Sequence, residues 1–83
     1  MTAAGRLLER MRANPRDWRI EDIATVCRSE GMACTPPREG SHFKISHETM
    51  PDILTIPANR PIKPVYVRAF VRFVGAVGGG SGG

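Results

Sequence analysis

The sequence predicts an α+β domain with the element order α-α-β-β-β-α, its helices covering one face of a three-stranded antiparallel sheet. Three observations predict this. Apolar residues recur at helical spacing before Gly31 and again after Pro64. Short alternating or β-branched runs fill the stretch between, and Pro or Gly punctuates almost every boundary. The links between the runs are too short for crossovers, so neighbouring strands must run antiparallel.

The elements follow in order. Thr2 is placed to cap a first helix that reaches about Ala13, with Ala4, Leu7, Leu8 and Met11 as its apolar stripe and Pro15 as its stop. Asn14-Pro15-Arg16-Asp17 reads as a turn, with Asp17 the expected cap of a second helix. That helix buries Ile20, Ile23, Ala24 and Cys27, carries Glu21 and Asp22 where the macrodipole favours acids, and ends at Gly31. Trp18 is expected to anchor the two helices to each other. The strands are predicted at Met32–Thr35, from Gly40 to about His47, and at Ile53–Ile56, the last closed by Pro57. The run from Val65 to Val77 is rich in β-branched residues, yet Val67, Phe70, Val71 and Val74 fall at i, i+3, i+4, i+7 and Pro64 suits a first helical turn. A third helix is therefore predicted, with Arg68 and Arg72 on a solvated side and Tyr66 and Phe73 facing core or partner.

The chain has 83 residues, 41% of them apolar, and a net charge of +4 with a pI near 9.8. That size permits one small domain, and the basic balance favours an anionic partner, either nucleic acid or an acidic protein. Five of the nine glycines fall in residues 78–83, which read as an appended flexible Gly/Ser linker and leave residues 1–77 for the domain. No apolar stretch is long enough for a bilayer and the first residues do not form a signal peptide, so a cytoplasmic protein is expected. Cys27 and Cys34 are too few for a disulfide scaffold and are expected as free thiols.

The run Arg38-Glu39-Gly40-Ser41-His42-Phe43-Lys44-Ile45 carries the chemistry. Side chains two apart on a strand share a face, so Phe43 and Ile45 turn inward while His42 and Lys44 stand together outside. An imidazole ordinarily titrates at about 6.5, which makes it a competent base near neutral pH, and a fixed cation beside it suits a phosphodiester. Lys44 is placed to hold a phosphate oxygen, with Arg38 and Arg60 as alternates. Gly40 permits either a close backbone approach or a positive φ at the strand entrance. His47 has the opposite parity, which disfavours a paired-histidine mechanism.

The order from the second helix onward, with Gly40-Ser41-His42 opening the second strand, resembles the HicA family of toxins from bacterial HicAB toxin–antitoxin pairs. The resemblance runs from Trp18 to Gly75. It comprises the helix Ile20–Gly31, the strand Met32–Thr35, the alternation Gly40–Ile45, the strand Ile53–Pro57, and the helix start Lys63-Pro64-Val65-Tyr66-Val67-Arg68-Ala69-Phe70. It implies a double-stranded-RNA-binding-domain-like α-β-β-β-α fold, with residues 1–16 as an additional N-terminal helix. It further implies a metal-independent endoribonuclease, an mRNA interferase. Its single catalytic histidine would be His42, and Gly40, Ser41, Lys44, Arg38 and Arg60 would bind RNA or phosphate. The implied partners are single-stranded mRNA as substrate and a HicB-like antitoxin that neutralises the enzyme; no cofactor or metal is expected.

Two rival readings come from the residues themselves. The same face can bind phosphates without cutting, or dock an acidic protein. A zinc site is disfavoured, because Cys27 and Cys34 lack knuckle spacing although His42 and His47 have a usual histidine separation.

Overall fold

A computed structural model describes residues 3–79, arranged as α1 (Ala3–Ala13), α2 (Ile20–Glu30), β1 (Ala33–Thr35), β2 (His42–Ser46), β3 (Leu54–Pro57) and α3 (Pro64–Gly79). The molecule is thus α+β, with three helices and an open antiparallel sheet of order β1-β2-β3. The expected cap Thr2 lies outside the described residues.

In α1 the stripe is as expected: Ala4 and Met11 are buried, and Leu7 and Leu8 pack partly against the core. Pro15 ends the helix, and the Asn14 side chain accepts the Arg16 N–H at 3.1 Å to set the turn. Trp18 is buried as the anchor. Its indole N–H donates to the Asn14 carbonyl at 2.7 Å, and the Arg10 guanidinium lies 5.5 Å from its ring centroid.

Asp17 is not the cap of α2. It adopts φ 66°, in the left-handed region, and the helix starts later with Arg19 at the cap position. The cause is tertiary. The Trp18 carbonyl accepts the Ile62 N–H at 2.8 Å from across the fold, so it is not free for the first helical turn. Asp22 supplies the capping carboxylate instead, accepting the Arg19 N–H at 3.1 Å. At the other end Gly31 has φ 69°, and the Met32 N–H reaches the Cys27 carbonyl at 2.8 Å.

The strands shift slightly from expectation. Met32 is buried but precedes β1, β2 starts at His42 instead of Gly40, and Pro57 is the last residue of β3. Pro57 is tolerated because it lies on an edge strand in a non-hydrogen-bonded pair, so its missing N–H would face away from β2. The register places Cys34 opposite Ile45, Phe43 opposite Ile56 and Ile45 opposite Leu54, and these residues form the inner face. Ile45 and Ile56 are fully buried there with Phe70, Met11, Ile23, Ile62, Val26, Val67 and Cys27. Each large side chain so buried contributes about 1.5–3 kcal/mol of transfer free energy.

The β-branched run at the C-terminal end is helical. Val67, Phe70, Val71 and Val74 are buried as the period predicts, Phe73 joins them, and Tyr66 is half-buried. The linker expectation for residues 78–83 needs correction at its start, because Gly78 and Gly79 belong to α3. Two glycines at a helix end cost only about 1 kcal/mol each relative to Ala, and the preceding turns supply their hydrogen-bond partners. Residues 80–83 lie outside the described residues. Among the described residues no helix is long and apolar enough to cross a membrane.

Candidate functional site

β2 alternates as its sequence requires. His42 and Lys44 are exposed, Phe43 is half-buried and Ile45 fully buried. Register extends the outer face across the sheet: Lys44 stands opposite Thr35 on β1 and Thr55 on β3, both exposed. A polar row Thr35–Lys44–Thr55 therefore crosses the three strands, one residue pair away from His42.

The loop between β1 and β2 folds over this face. Thr35, Arg38, Glu39, His42 and Lys44, with the two prolines at 36 and 37, line an open cleft of about 360 Å³. Pro36 and Pro37 stiffen the loop and lack backbone donors, so it carries side chains to the cleft without extending the ladder. Gly40 adopts φ 80°, the positive-φ alternative of its two expected roles, and no atom lies within 4 Å of where a Cβ would stand. The space above Gly40 is thus open to a ligand. Ser41 fixes the loop to β3, its carbonyl accepting the Ala58 N–H at 2.6 Å.

Of the expected site residues, His42, Lys44 and Arg38 come together in this cleft, with Gly40 and Ser41 in the segment leading to it. Arg60 goes elsewhere. Its guanidinium lies 3.9 Å from the Glu21 carboxylate, and it lines a separate shallow cleft with Asp17, Arg19 and Pro61. The ion pair is exposed and weak, but it draws the side chain toward α2. Thr35 and Glu39 were not anticipated. Thr35 could have been found from strand pairing; Glu39 could not, because its place depends on the path of the loop. Glu39 brings one carboxylate among two cations, Arg38 and Lys44, so the cleft keeps a positive balance.

His47 sits in the turn after β2, where its Nδ1 accepts the Thr49 N–H at 3.1 Å and lies 2.7 Å from the Thr49 hydroxyl. It plays no part in the cleft. Among the described residues no group of three or more His, Cys, Asp or Glu side chains is disposed to hold a metal ion. Cys27 and Cys34 are free thiols. Burial, reinforced by the neighbouring Cys34, pushes the Cys27 thiol up to about 12, and burial also raises Cys34. Both are poor nucleophiles near neutral pH.

Compared with known proteins, the chain matches no family model, no curated protein and no solved structure.

Proposed function

We propose that the chain is a HicA-type toxin: a metal-independent mRNA endoribonuclease with a double-stranded-RNA-binding-domain-like fold, acting in the cytoplasm and neutralised by a HicB-like antitoxin. One observation carries the reading. His42 and Lys44 share the solvent face of β2 and open, with Arg38, onto one cleft of positive balance.

In this mechanism His42 removes the proton from the ribose 2′-hydroxyl of a single-stranded segment. The 2′-oxygen then attacks the adjacent phosphorus to form a 2′,3′-cyclic phosphate as the P–O5′ bond breaks, and the departing 5′-oxygen takes its proton from solvent water. Lys44 and Arg38 stabilise the extra negative charge on the non-bridging oxygens. Gly40 and Ser41 let the backbone lie close to the sugar–phosphate chain. A single base with no partner acid predicts slow turnover.

A non-catalytic phosphate-binding module is the second reading. It draws on the His42 ring, which no hydrogen bond from a described residue orients, whereas efficient general bases are held in place by a neighbour.

The test is induced expression of the chain beside His42→Ala, reading growth and mRNA integrity. Growth arrest with fragmented mRNA only in the unsubstituted chain is the expected result. Intact mRNA in both, with RNA affinity retained, would leave the binding module.

A further inference from the structure

A second surface, sharing no residue with the His42 cleft, lies between α1 and α3. Met11, Val65 and Val71 form its apolar part, and Arg12, Arg68 and Arg72 rim it, enclosing about 390 Å³. Met11 and Val71 are buried beneath it, while Val65 stands 58% exposed, one of the two large apolar side chains so exposed among the described residues. Arg68 and Arg72 follow one another at i, i+4 on α3, so two like charges sit a turn apart and repel. Neither takes part in an ion pair among the described residues; Arg12 has only the exposed Glu9, at 3.2 Å.

We infer that this groove docks an acidic amphipathic helical segment of a partner protein. Apolar side chains of the segment cover Val65 and enter above Met11 and Val71, and its carboxylates pair with Arg68, Arg72 and Arg12. Charge complementarity selects this occupant. A second copy of the chain, at net charge +4, brings the wrong sign. RNA fits the arginines but not the floor: no aromatic side chain lines the groove to stack a base, and an exposed valine between guanidiniums gains nothing from phosphate. This inference stands whether or not His42 is catalytic.

The test uses isotope-labelled chain titrated with a synthetic helical peptide whose leucine stripe is flanked by glutamates, followed by amide chemical shifts. Perturbations are expected around Met11, Arg12 and Val65 to Arg72, with affinity falling at least about tenfold in Arg68→Glu/Arg72→Glu and falling also in Val65→Ser. All three positions are exposed, so the fold should tolerate the changes. Three results would each overturn the inference. These are absent perturbations, equal binding of a peptide with serines in place of the leucines, and the same shifts from a single-stranded RNA oligonucleotide of equal charge.

Discussion

His42 stands opposite Pro57 at the end of the β2–β3 ladder. Pro57 needs no N–H at this pair, which is of the non-hydrogen-bonded kind, and one residue further on the Ala58 N–H donates to the Ser41 carbonyl. The backbone on both sides of the histidine is therefore held while its imidazole projects from the terminal rung into the cleft.

That placement separates the cations. If the chain cleaves RNA as proposed, Lys44→Ala should lower kcat/KM by about tenfold to a hundredfold, the scale for losing one charge stabiliser. Arg60→Ala should cost less, because its guanidinium is drawn toward Glu21. Single-turnover cleavage of a labelled RNA compares the two; a larger loss at Arg60 would move the phosphate site toward α2.

The alternation along β2 makes a stability prediction independent of any activity. Ile45→Ala should destabilise the fold by about 2–5 kcal/mol, since a fully buried side chain leaves a cavity between sheet and helices. Lys44→Ala, on the opposite face, should stay within about 0.5 kcal/mol. Urea denaturation of both variants checks this, and similar losses would mean that the faces are misassigned.

Two glycines should respond with opposite signs. Gly40→Ala forces a Cβ into φ 80° and should cost about 1–2 kcal/mol, although no neighbouring atom is struck. Gly75→Ala, in α3 with open space around it, should gain about 0.5–1 kcal/mol. Thermal melts of the pair read the difference.

Cys27 makes stability depend on alkaline pH. Its thiol is pushed from 9.0 to about 12 by burial, so above 9 the unfolded chain has lost a proton that the folded chain keeps. The contribution is full below 9 and is lost as pH rises toward about 12. Urea midpoints across that range should fall more steeply for the wild type than for Cys27→Ala. Parallel curves would show that the thiol ionises equally in both states.

Most elements were legible because their signals are local. Pro15 and Gly31 bound α1 and α2 through backbone geometry that any tertiary setting must respect. The helical period of Val67, Phe70, Val71 and Val74 outweighed the β-branched composition of α3 because one continuous stripe met one core. The paired exposure of His42 and Lys44 needed only the two-residue period of a strand.

What escaped the sequence depended on partners distant along the chain. The start of α2 moved because Ile62, more than forty positions later, claims the Trp18 carbonyl. Arg60 left the expected site for Glu21, and Glu39 entered the cleft through the path of a proline-stiffened loop.

The sequence by itself determined the order of the elements, the buried stripes of α1 and α3 and the sharing of one strand face by His42 and Lys44, since each rests on backbone period and on the conformational limits of Pro and Gly. In α2 the buried set is Ile23, Val26 and Cys27, with Ile20 and Ala24 only half-buried. Only the tertiary structure decided which cations join that face, which residue caps α2 and that α1 and α3 enclose a basic groove. Those outcomes depend on which distant groups meet once the core has closed, and short-range spacing carries no record of that meeting.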